Sequence, residues 1–320
     1  MRSTGNNSWC RQTGLTLVEL MVAMLIGLFL ILGSITVYVQ SLTSYRLSDG
    51  QARLQENLRF AMDTLEPDIR LSEFWGRHSE PALVTVPVGL GVPCGGADAT
   101  LVATNFAQAV TGIDESIGYA AAIPCPANTV ARADSDVLVV RHVTPQQTAP
   151  AAGTLQIRSD LGISELFQGG ANPGGYGPLA QTHDLVVNIY YVDSGSNLDP
   201  NLPSLRRWTL NPAGALVDEE LIAGVENMQM QFGIDEAGNG SITRYLDSDN
   251  PAITPLTEIL AVRLWLLMRV DQIEAGWVDQ AIYTPLDGDL LPIVPGGANY
   301  PVNVRRQQIT KTINLRNNRN

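Results

Sequence analysis

The chain has 320 residues, 32 acidic against 20 basic side chains, a formal charge of −12 and 45% hydrophobic residues. That length allows one or two domains, and the acidic balance argues against nucleic acid as a partner, since such binding rests on Lys and Arg neutralising phosphates. The three histidines, His78, His142 and His183, form no metal-binding pair, and no Walker motif or visible nucleophile–base arrangement accompanies them, so the chain reads as a non-enzyme with no cofactor.

A polar leader containing Arg2, Cys10 and Arg11 is followed by "GLTLVELMVAMLIGLFLILGSITVYV", Gly14 to Val39. An apolar run of that length spans a bilayer as a helix. Glu19 lies in its first turns, where a carboxylate in hydrocarbon costs about 2.5 kcal/mol or more and is expected to have a function. If the chain is cut after Gly14, Leu15 becomes a cationic terminus one helical turn from Glu19. Acidic side chains are also favoured near a helix N-terminus. An ordinary signal anchor with a stray Glu is the alternative; a secretory signal would place a shorter apolar region before the cut. Removing residues 1–14 takes away two arginines and moves the formal charge from −12 to −14. It also removes Cys10, leaving Cys94 and Cys125 as an even pair in the part that would leave the cytoplasm. A disulfide is expected there, closing a loop worth roughly 3–4 kcal/mol; two free thiols are the other possibility.

The stretch "RQTGLTLVELMVAML" resembles the class III signal of type IV prepilins and pseudopilins. The resemblance implies that a prepilin peptidase cuts after Gly14 on the cytoplasmic side and N-methylates Leu15, and that Glu19 is the assembly carboxylate. Leu15 stands where major pilins usually have Phe, which favours a minor pilin.

Beyond the membrane segment, Leu47, Leu54, Leu58, Ala61, Met62, Leu65 and Ile69 recur at helical spacing and form one apolar face. Gly50 is a weak point, and Pro67 is expected to kink the helix or end it near Glu66. Strands are predicted at Asp136–Val143, Thr154–Ser159 and Asp184–Val192, then within "VENMQMQFGID", "ILAVRLWLLMRVD" and "QITKTINLRN". His142 is expected at a strand rim. Gln168–Ala180 is too rich in Gly and Pro for a regular element. Trp75, Trp208, Trp265 and Trp277 read as core or rim residues; Trp265 shares a strand face with Arg263 and Arg269 that could meet another subunit.

"DEAGNGSITRYLD" begins like a calcium loop, with Asp235 and Asn239 as candidate ligands and Asp247 and Asp249, which follow closely, as substitutes in a different geometry. It lacks ligands at the third and twelfth positions, and a β-turn using Gly238 and Gly240 is the competing reading. Arg305, Arg306, Lys311, Arg316 and Arg319 gather near the end, either as a solvated edge strand with a frayed tail or as a patch that docks a subunit or contacts DNA.

"YRLSDGQARLQENLRFAMDTL", "GVENMQMQFGID", "AVRLWLLMRV" and "RRQQITKTINLRN" are similar to the PilW family of type IV pilus minor pilins. The region Gly76–Ser135, holding both cysteines, carries no part of that resemblance. The expected architecture is α+β and pilin-like: leader 1–14, an N-terminal helix over 15–71 whose residues 15–39 are transmembrane, and a β-rich periplasmic domain over 72–320 built on an antiparallel sheet. The resemblance implies a protein of the inner membrane, then of the pilus, that takes part in pilus initiation and tip assembly. The expected partners are the prepilin peptidase, other minor pilins, the major pilin, a tip adhesin and, before assembly, membrane lipid. A type II secretion minor pseudopilin and a tip adhesin are the alternatives.

Overall fold

A computed structural model describes residues 14–78, 80–255, 257–274, 276–288, 290–297 and 299–316. Arg2, Cys10, Arg11 and Arg319 lie outside them. The chain divides into two compact units, one ending at Ala52 and one beginning at Arg53.

Helix α1, Leu17–Leu71, has 55 residues. Its apolar side chains surround the axis as far as Val39, then narrow to a stripe. Leu54, Leu58, Ala61, Met62, Leu65 and Ile69 are buried, at the steps of three and four that place residues on one face. Leu47, in the first unit, is half-exposed. The helix continues through Pro67 rather than ending near Glu66. A proline removes one N–H bond, and tertiary bonds hold the last turn in its place. The Asp68 carboxylate lies 2.7 Å from His142 Nε2 and accepts from Asn188 Nδ2 at 3.0 Å and Tyr190 OH at 2.9 Å. Ser72 closes the end by donating its N–H and hydroxyl to the Ile69 carbonyl.

Among the described residues, the β-rich unit contains fourteen strands. They are β1 (Val84–Thr85), β2 (Pro93–Cys94), β3 (Ala97–Asp98), β4 (Val110–Ile113), β5 (Val137–Val143), β6 (Ala152–Asp160) and β7 (Ile163–Gly169), then β8 (Gln181–Asp193), β9 (Ser204–Leu210), β10 (Leu216–Ala223), β11 (Val225–Ile234), β12 (Arg244–Asp247), β13 (Ile259–Arg269) and β14 (Arg306–Asn314). The first sheet runs β1-β7-β6-β8-β9-β10-β2-β3, with β5 joined to β8 and β4 to β5. β8 is its hub: it pairs with β6 through Gln181–Asp184, and beyond that with β5 on one edge and β9 on the other. The second sheet, β12-β11-β13-β14, is antiparallel throughout.

The apolar stripe of α1 meets both sheets in one core with Leu138, Tyr190, Val225, Met228, Met230, Phe232, Leu264 and Leu266. A second core holds Trp75, Trp208, Ile189, Cys94 and Cys125. Two expectations change at this level. His142 is buried in β5 rather than at a rim, because Asp68 supplies its partner. Trp265 does not face an open surface: the segment after β13 folds back, and Tyr283, Ile293 and Tyr300 cover it. The basic C-terminal residues do lie on and beside a solvated edge strand, since β14 closes the second sheet with mostly exposed or half-exposed residues, and three of them find acids. Arg305 pairs with Glu274, buried Arg306 with Glu226 and Asp279, and Lys311 with Glu66.

Candidate functional site

Gly14 and Leu15 lie exposed just before α1. A Cβ at Gly14 would meet nothing within 4 Å, so the fold itself makes no demand for glycine there. Thr16 precedes the first helical residue. The Glu19 Oε2 accepts the Thr16 backbone N–H at 2.9 Å and its hydroxyl at 3.0 Å, while the Thr16 Oγ1 accepts the Glu19 N–H at 3.2 Å. This reciprocal exchange is a capping box, which satisfies helix-end donors that hydrocarbon would leave bare. The sequence reading singled out Glu19 and missed Thr16, although a Thr three residues before a Glu at the head of an apolar run is the signature of that cap.

From Leu17 to Val39 the large side chains are exposed on every side of the helix; Leu17, Val18, Met24, Phe29, Leu30 and Val37 are each about two-thirds exposed or more. The few polar groups are turned inward on the backbone. Ser34 Oγ donates to the Leu30 carbonyl at 2.8 Å and Thr36 Oγ1 to that of Leu32 at 2.9 Å, so neither hydroxyl needs water. The helix is long and apolar enough to cross a membrane.

Cys94 and Cys125 are bonded, with Cα atoms 5.3 Å apart. Both are buried in the second core, so the link ties β2 to the segment that leads toward β5. The Asp235–Asp247 segment has the hydrogen bonds of a turn. The Asp235 carboxylate accepts the N–H groups of Ala237, Gly238 and Gly240, and Gly238 and Gly240 adopt positive φ of 64° and 74°. Asp247 pairs in register with Gln231, four residues along β11 from Asp235. That is roughly 13 Å of strand, too far for both to reach one ion.

Residues 189–317 match the family described as type IV pilus-assembly protein W, and residues 9–35 match the prokaryotic N-terminal methylation motif. No curated protein matches the chain. Among solved structures, the type IV-like pilin TTHA1219 from Thermus thermophilus aligns over 83% of this chain and 98% of that chain, at 13% identity and a TM-score of 0.37. The methylation-motif match contains the capped start of α1, and the other runs from β8 through β14. Residues 189–317 are thus similar to type IV pilus-assembly protein W, and residues 9–35 carry a prokaryotic N-terminal methylation motif.

Proposed function

We propose that this protein takes part in initiating type IV pili and in building their tip, entering the filament through α1 after a prepilin peptidase cuts behind Gly14 and methylates Leu15. The observation that carries the proposal is the helix start: an apolar surface exposed all round from Leu17 to Val39, with one carboxylate, Glu19, held in its first turn by Thr16. Before assembly this surface is covered by inner-membrane lipid, with the β-rich domain in the periplasm; after assembly it is covered by the helices of other minor pilins and the major pilin.

Both Thr16 bonds go to Glu19 Oε2. The second oxygen is then the one that takes the cationic Leu15 terminus of the same or a neighbouring subunit. Removing one partner strands a charge in low dielectric at a cost of several kcal/mol. The β-rich unit begins at Arg53 and fills most of the chain; a body of that size suits a filament tip, where a tip adhesin would be a neighbour, better than a closely repeated shaft.

The test is an in-frame deletion in the native host with retraction blocked, scoring sheared surface pili and secreted proteins together. Sharp loss of pili with secretion intact supports the proposal. Intact pili with lost secretion would make this a type II secretion pseudopilin, and intact pili with intact secretion would leave an accessory adhesive role. Glu19→Val is expected to insert and be cleaved, as read by the mass of the membrane form, yet to be missing from sheared pili. Normal incorporation of that variant would defeat the charge-pairing step.

A further inference from the structure

Asp114 and Glu115 directly follow β4, and Asp136 directly precedes β5. Ile113 pairs with Val137 at the end of the β4–β5 ladder, so these acids fall together at one rim of the first sheet. Gly112 lets that rim close on the second sheet: a Cβ there would overlap Ser248 Cβ and stand 2.9 Å from Phe232 Cε2. The close approach brings up Asp247, at the end of β12, and the segment between β13 and β14 brings up Asp287. One oxygen each from Asp114, Glu115 and Asp287 lies within 4.8 Å of the others.

Asp136 supplies an independent observation. It is 2% exposed, and its Oδ2 accepts the Met230 N–H at 2.9 Å. Its Oδ1 is buried with no donor among the described residues, as is Oε2 of Glu115, and the two carboxyl groups lie within hydrogen-bonding reach of each other. Buried acceptors that face one another without a donor are costly; they call for a proton or a cation between them. The charges felt most strongly by Asp136, Glu115 and Asp247 come from further carboxylates, Asp114, Glu115, Asp249 and Asp287 among them.

We propose that Asp114, Glu115 and Asp287, backed by Asp136, bind a calcium ion. A donor set of carboxylate oxygens without His or Cys is that of a hard cation. Oxygens on opposite sides of one calcium stand up to about 5 Å apart, and calcium tolerates irregular sets drawn from separate loops, whereas magnesium demands a tighter octahedron. The ion would join the rim of the first sheet to the segment that covers Trp265. This inference does not depend on the pilus role.

The experiment uses the full chain in detergent, stripped with EGTA and titrated with calcium chloride or magnesium chloride. Radiolabelled calcium in equilibrium dialysis gives binding; thermal unfolding gives the coupled stability. The expected result is saturable binding of one calcium per chain, an unfolding midpoint raised by several degrees, and weaker binding of magnesium. Asp287→Asn keeps the side-chain size and is expected to weaken calcium binding at least tenfold, while its midpoint in EGTA stays at or above that of the parent, which shows that it folds. No calcium binding by the parent at millimolar concentration would overturn the proposal. So would parent-like binding by the Glu115→Gln, Asp287→Asn double variant. A midpoint in EGTA that falls with rising pH and is not restored by calcium would show instead that the carboxyl groups only share a proton.

Discussion

Asp68 concentrates three side-chain partners from two strands on one helical carboxylate. His142 comes from β5, and Asn188 and Tyr190 from β8. All three are buried, so removing the acceptor leaves donors without water to replace it, at a cost of about 1–3 kcal/mol per group before relaxation. Asp68→Ala is therefore expected to destabilise the β-rich unit by about 3 kcal/mol, read as a lower urea midpoint of the full chain in detergent. Tyr190→Phe, which removes one donor and keeps the ring, should cost about 1 kcal/mol. An unchanged midpoint for Asp68→Ala would show that packing alone holds the last turns of α1. Glu19 and Asp68 differ in how far they could be read. A carboxylate inside an apolar run announces itself. One on the polar edge of an amphipathic stretch looks like a solvated residue until the strands that face it are known.

Among the elements, those legible in the sequence were the ones whose side chains settle which face is inside. β5, β8, β11 and β13 are rich in β-branched or alternating apolar residues, and each appeared within a few residues of its predicted place. β9 and β10 were missed because their composition is charged. Arg206 pairs across the strands with Asp218 and Glu220, and Arg207 with Glu219, so the ladder is built on ion pairs that resemble an exposed loop in one dimension. β4 and β12 are short, and Gly112 in β4 gave no sign of the contact it permits. Gly112→Ala would drive a methyl group into Ser248 and Phe232. Overpacking of this kind costs typically 1–3 kcal/mol, and thermal unfolding should show it. Cys94 and Cys125 were legible by arithmetic. Cys94→Ser with Cys125→Ser should lower stability by roughly 3–4 kcal/mol, the chain-entropy value for a loop of about 30 residues. Reductant should have a comparable effect on the parent and none on the variant.

For the whole molecule, the excess of acid over base, −12 in formal charge, is not spread evenly. The basic residues near the C-terminus are drawn into ion pairs, while the rim between the two sheets holds carboxylates together. Burial, followed by neighbouring carboxylates, pushes Asp136 well above its ordinary 3.8 and Glu115 above its ordinary 4.5. In the unfolded chain both ionise at those ordinary values. Below them the two states are equally protonated and the cluster's contribution is fully present. As pH rises the unfolded chain releases its protons first, so the native state holds more protons and stability falls through the raised values. Asp98 acts in the opposite sense: bonds from the Thr100 hydroxyl and N–H hold its carboxyl below the ordinary range, and what it adds is lost only in stronger acid. In EGTA, the full chain in detergent should therefore unfold at progressively lower temperature as pH rises above the ordinary carboxylate values. Asp136→Asn should flatten that decline by removing the most deeply buried of the interacting acids. A decline that survives the substitution unchanged would place its origin outside this rim. Calcium should act mainly at the neutral end, where the carboxylates are ionised and protons no longer compete for them.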